Sequence, residues 1–141
     1  MPMKLPEKIV DANVILRFFL QDDEDQFQKA GSFIQKLELG KVEALLTDIV
    51  FAEVVWVLHK VYEIHRPEIA KNFSKLISYR GIKTLFPKEL YTEALSLYAK
   101  HSTDIQDILL ALLARQTRAT IVTFDNTDFK KLPCDYEEPE N

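Results

Sequence analysis

The chain reads as an α/β fold built on a parallel sheet with helices on both faces. Short apolar runs of strand length alternate along it with longer segments of helical spacing. Strands separated by helices are joined by crossovers, and crossover helices enclose a parallel sheet between two layers. Three glycines in 141 residues leave no glycine-rich phosphate loop, so neither a dinucleotide-binding fold nor a P-loop is expected.

The elements follow in order. Lys8-Ile9-Val10-Asp11 is a short strand, and Ala12 to Leu20 a first helix. Asp22-Asp23-Glu24-Asp25 opens a second helix to about Leu39, where acids complement the positive end of the helix dipole and Gly40 supplies the stop. Val42 to Thr47 is the second strand, and Thr47 and Asp48 are N-caps for a helix to about Tyr62. Pro67 suits the first turn of a helix ending near Arg80-Gly81. Ile82 to Leu85 is the third strand, Pro87 starts a helix to Lys100, and Ser102-Thr103-Asp104 caps another to Thr117. Thr120 to Phe124 is the last strand expected. The whole chain, 1–141, reads as one domain with 135–141 a loose acidic tail.

The bulk composition, 47% hydrophobic and 28% charged, is that of an ordinary globular protein. One cysteine, Cys134, excludes an intramolecular disulfide and fits a reducing compartment. The longest apolar run, Ile108 to Ala114, is far short of the ~20 residues a membrane span needs, and no signal peptide is visible. A cytoplasmic protein without a membrane partner is expected. The net charge of −4 argues against non-specific coating of nucleic acid, but not against a nuclease whose acids await a metal.

Four acids stand out. Asp11 and Asp125 come directly after the strand runs Ile9-Val10 and Thr120 to Phe124, at the carboxyl ends where open α/β sheets bind ligands. Either is equally readable as the N-cap of the next helix. Glu53 lies in the apolar helix Ile49 to Leu58, sharing a face with Ile49, Val50, Trp56 and Val57. Such a glutamate needs a partner, either a metal or a lysine or arginine in a buried ion pair. Asp104 and Asp107, three apart, share one side of a helix start; Asp104 is the natural N-cap and Asp107 the better metal ligand. Clustered carboxylates repel and lose hydration, and a hard divalent cation with oxygen ligands is the simplest compensation.

Rival chemistry has less support. His59, His65 and His101 lack metal-ligand spacing, and no serine or threonine has a histidine partner at triad spacing. Cys134, between Pro133 and Asp135, has no basic partner to activate it. Phe18, Phe19, Phe27, Phe33, Trp56 and Phe73 follow helical spacing and read as mostly core.

At these acids the chain resembles the PIN-domain family, most closely the VapC-type toxins of toxin–antitoxin systems. The stretches that carry the resemblance are Ile9-Val10-Asp11-Ala12-Asn13-Val14-Ile15-Leu16-Arg17 and Ala52-Glu53-Val54-Val55-Trp56-Val57-Leu58. Asp104-Ile105-Gln106-Asp107-Ile108-Leu109 and Val122-Thr123-Phe124-Asp125-Asn126-Thr127-Asp128-Phe129 complete it. One departure is Ile108-Leu109 after Asp107, where the family more often has small residues.

The resemblance implies a Rossmann-like three-layer α/β/α sandwich with a central parallel sheet, and a homodimer. It implies an Mg²⁺- or Mn²⁺-dependent endoribonuclease, acting on RNA and silenced by a cognate antitoxin protein. By motif match, Asp11, Glu53, Asp107 and Asp125 become catalytic and metal-binding, Asp104 a further metal-side acid, and Asn13 and Thr123 supporting polar groups. The alternative is a PIN-like module that binds RNA or protein without cutting. A phospho-accepting receiver domain also places acids at strand ends, but it would pair two at the first strand, where Asp11 stands alone.

Overall fold

The first two strand segments of this protein give way to helices whose starts are capped by side chains. In the computed structural model, which describes residues 4–141, Ile9 makes a parallel bridge to Leu45. The Val10 N–H donates to the Leu45 carbonyl at 3.1 Å. Asp11 then turns the chain into α1 (Ala12–Leu20), its carboxylate accepting from the Ala12 N–H at 2.9 Å. Helix α2 (Glu24–Leu39) is capped by Asp23, which accepts from the Gln26 N–H at 3.0 Å. It stops at Gly40, whose φ of 75° is the left-handed conformation glycine adopts without penalty.

Strand β1 (Ala44–Leu45) gives way to α3 (Asp48–Lys60), capped by the Thr47 hydroxyl, which accepts from the Val50 N–H at 3.3 Å. Helix α4 (Arg66–Ile77) carries Pro67 in its first turn. Strand β2 (Ile82–Lys83) pairs parallel with β1, and α5 (Lys88–Lys100) comes next. Helix α6 (Ile105–Thr117) leads to β3 (Ile121–Val122), a 3-10 turn at Phe129–Lys131, and β4 (Tyr136–Glu137), which is parallel to β3. The order of elements from α1 to β3 and the parallel pairing are those the sequence predicts, and the fold is α/β.

Within that fold the parallel pairing is divided, Ile9, β1 and β2 forming one set and β3 and β4 another. The caps at Asp11 and Thr47 follow closely on short pairings, one bridge at Ile9 and two residue pairs at β1. The stretch expected to be a loose acidic tail holds β4, because pairing uses backbone groups that charged side chains do not block: the Ile121 N–H donates to the Asp135 carbonyl and the Thr123 N–H to that of Glu137, both at 2.9 Å.

At Gly81 the chain passes so close to α2 that an added Cβ would lie 2.1 Å from the Val42 carbonyl oxygen. That approach lets the Gly81 N–H donate to the Leu37 carbonyl at 2.7 Å, fixing where β2 begins.

An aromatic chain joins the helices. Phe51 of α3 stacks on Phe73 of α4 and meets Tyr91 of α5 edge-on, both at 5.3 Å, and Phe19 of α1 meets Phe73 at 6.0 Å. Phe51, Phe73 and Tyr91 are fully buried. The Tyr91 hydroxyl donates to the Asp48 carboxylate and accepts from the Phe86 N–H, so the core is tied to the first turn of α3. Burial, then the bond to Asp48, pushes the Tyr91 phenol up and keeps it protonated. Phe73 is core as expected, but Trp56 is 45% exposed, a further correction on the same helix that carries Glu53. No helix among the described residues is long and apolar enough to cross a membrane.

Phe73→Ala should cost about 3–5 kcal/mol through the cavity it leaves. Tyr91→Phe, which strands the Asp48 carboxylate, should cost about 1–3 kcal/mol. Urea denaturation of both proteins measures these; equal small losses would mean that the aromatic chain does not organise the core.

Candidate metal centre

Three local devices bring carboxylates together. Asp107 sits in the first turn of α6, half-buried between the fully packed Ile105 and Ile108. Asp125 comes after β3 in a turn closed by its own side chain: its Oδ1 accepts from the Thr127 N–H at 3.0 Å and the Asp128 N–H at 3.2 Å. That turn folds Asp128 back beside Asp125, and buried Phe129 anchors it. Thr123 supports it from the strand, its hydroxyl accepting from the Asp125 N–H at 2.9 Å. As a result, one carboxylate oxygen each from Asp107, Asp125 and Asp128 lie within 4.8 Å of one another.

This gathering has an electrostatic cost. Burial first, then the charges of Asp128, Asp125 and Asp104, push the Asp107 carboxyl above the ordinary aspartate range. Among the described residues, no lysine or arginine is within ion-pair distance of Asp11, Glu53, Asp107, Asp125 or Asp128. An all-oxygen, uncompensated donor set suits a hard divalent cation.

The other expected residues are placed differently. Asp11 is exposed, outside the three-acid group, and its carboxylate caps α1. It borders an open cleft of about 660 Å³ shared with Asn13, Arg17, Lys29 and Phe33. Asp104 is the N-cap residue of α6 but makes no side-chain capping bond; its exposed carboxylate lies 4.0 Å from the Arg66 guanidinium. Glu53 requires a correction: it is exposed, and its neighbours Ile49 and Trp56 are 82% and 45% exposed. Helix α3 is apolar nearly all round, and it buries Phe51, Val54, Val55 and Leu58 instead. Glu53 is therefore not a buried acid in need of a counter-charge. Its helix packs on both α1, which Asp11 caps, and α6, whose first turn carries Asp107.

Asp128 was missed by sequence reasoning. The signal was its position three after Asp125 in Asp125-Asn126-Thr127-Asp128, the spacing at which an aspartate-closed turn returns the chain on itself. Cys134 is no rival, since burial pushes its thiol up and away from the reactive form.

Parallel strands, with a cluster of carboxylates that no lysine or arginine of the described residues pairs with, define an α/β protein with an acidic site that could hold a metal ion. The family model of the PIN domain matches residues 8–133, and the chain belongs to the PIN-domain family. The match spans all six acids from Asp11 to Asp128, while β4 lies beyond it. PIN domains are generally nucleases that need metal ions and bind RNA. No curated protein matches the chain.

A carboxyl with a raised folded-state pKa costs stability when ionised. That cost is absent below the ordinary aspartate range and complete above the pKa that Asp107 has in the fold. In metal-free protein, Asp107→Asn should therefore be more stable than the parent at pH 7–8, with the advantage shrinking to nothing near pH ~3. Thermal melts in EDTA across that range measure it; a variant less stable at neutral pH would mean that Asp107 is held by a favourable partner.

Proposed function

We propose that this protein is a metal-dependent endoribonuclease of the VapC toxin type, hydrolysing RNA phosphodiester bonds with Mg²⁺ or Mn²⁺. The observation that carries the reading is the uncompensated group Asp107, Asp125 and Asp128, within 4.8 Å of one another. Asp11, Glu53, Asp107 and Asp125 are the proposed catalytic carboxylates, with Asp104 and Asp128 as further acids on the metal side. When bound, the cation supplies Lewis-acid chemistry, acidifying a water for attack on phosphorus and offsetting charge on the leaving oxygen.

The protein's own groups do the holding. Asp125 spends one oxygen on the backbone of its turn, which leaves the other to face a ligand in a fixed direction. Thr123 sets that turn, and Asn13, exposed beside Asp11, is the polar group nearest in sequence to orient water or phosphate. Water as the nucleophile makes the RNA 2′-hydroxyl unnecessary, so products would end in 5′-phosphate.

The partners are a cognate antitoxin and a second copy of the chain, in the cytoplasm. Support for a homodimer is the apolar surface of α3, where Ile49 and Trp56 flank Glu53 in solvent. A dimer covering that surface would also exclude water from around Glu53.

RNA incubated with purified protein should be cut with Mg²⁺ or Mn²⁺ and left intact in EDTA. Asp11→Asn and Asp107→Asn should fall to the EDTA background. Cleavage products ending in 2′,3′-cyclic phosphate would exclude attack by water. An unchanged melting temperature in millimolar Mn²⁺ would turn the reading to a non-catalytic RNA- or protein-binding module.

A further inference from the structure

Arg66 occupies a position that its own helix disfavours. It is the first residue of α4, where the helix dipole repels a cation, and Pro67 fixes the chain there. Its compensation comes from 32 to 38 residues further along the chain. Nη1 donates to the carbonyls of Thr103 at 2.7 Å, His101 at 2.9 Å and Tyr98 at 3.2 Å, and Nη2 to that of Ser102 at 3.2 Å. The guanidinium lies 4.1 Å from the centroid of the Tyr98 ring, and Nη2 is 4.0 Å from the Asp104 carboxylate.

These contacts take in the last turn of α5 and the whole link to α6. The end of α5 presents unpaired carbonyls and the negative end of its dipole, which a guanidinium satisfies. Among the described residues, no other hydrogen bond reaches the carbonyls of His101, Ser102 and Thr103. The link has no capping of its own: Asp104 makes no side-chain cap bond, and Thr103, only 2% exposed, has a hydroxyl without a partner. Asp107 lies just beyond, in the first turn of α6.

We propose that Arg66 is a positioning residue of the acidic centre: by gathering the carbonyls of the α5–α6 link, it sets where α6 begins and so where Asp107 stands against Asp125 and Asp128. The inference rests on the metal-binding reading of that centre. A lysine would replace it only in part, since an ammonium keeps the charge and three donors but lacks the second nitrogen that reaches Ser102 and the planar face that lies against Tyr98.

The test compares Arg66→Lys and Arg66→Met with Phe73→Leu, a core change in the same helix that leaves the link alone. Two readouts are taken well below the melting temperature of each protein: Mn²⁺ affinity by titration, and hydrogen exchange of the amides of residues 101–108 in metal-free protein. Losing a group that orients metal ligands typically costs about 10- to 100-fold in affinity. Arg66→Met should fall in that range, Arg66→Lys should recover part of the loss, and both should speed exchange selectively at 101–108. Phe73→Leu should change neither readout selectively. Unchanged exchange at 101–108 in a folded Arg66→Lys or Arg66→Met protein overturns the proposal, as does an equal local effect from Phe73→Leu. If the parent protein binds no Mn²⁺, the reading of the centre fails by itself, and the exchange result still decides what Arg66 holds.

Discussion

Repulsion between carboxylates is the constraint around which the active end of this protein is arranged. Asp107, Asp125 and Asp128 approach one another without a neutralising side chain, and Asp107 carries the strain as a carboxyl reluctant to ionise. A chain free to relax would separate them. What keeps them together includes the packed face of α6 and a turn closed by backbone N–H groups. A cation or a proton shared among them would relieve the repulsion that Asp107 bears.

The scaffold behind those acids is stiff for reasons that are local and additive. Side-chain caps at Asp11, Asp23 and Thr47 fix where three helices begin. The row Phe19, Phe73, Phe51 and Tyr91 then locks α1, α4, α3 and α5 to one another. Through Tyr91 and Asp48 the same row reaches the start of α3. Arg66 performs the corresponding service between α4 and the link before α6. Helix starts are therefore where this fold concentrates both its restraints and its acids.

Features legible in the sequence were those whose chemistry is local. The cap at Thr47, the stop at Gly40 and the limits of α5 follow from neighbouring residues alone. The pairing of Asp107 with Asp125 was legible as strand-end and helix-start geometry in an α/β alternation. Glu53 was misjudged because α3 is apolar on more than one face, and composition cannot tell which face the core takes. Asp128 was hidden because its place depends on a hydrogen bond within a turn. The reach of Arg66 to carbonyls more than thirty residues away has no sequence pattern, since the acceptors are backbone atoms common to every residue. β4 escaped for the same reason.

That last strand lies outside the stretch shared with the family, yet it connects to the acids in three steps. The Glu137 carbonyl holds the Thr123 N–H, the Thr123 hydroxyl holds the Asp125 N–H, and Asp125 holds Asp128. It also shields β3. Stripped of β4, Ile121 and Thr123 would offer open N–H groups beside Val122 and Phe124, the latter 80% exposed. An uncovered edge with apolar residues on it is a template for a strand from another molecule. Tyr136 and Glu137 thus cover an edge that could otherwise pair with a strand of another molecule, while steadying the turn that carries two of the acids.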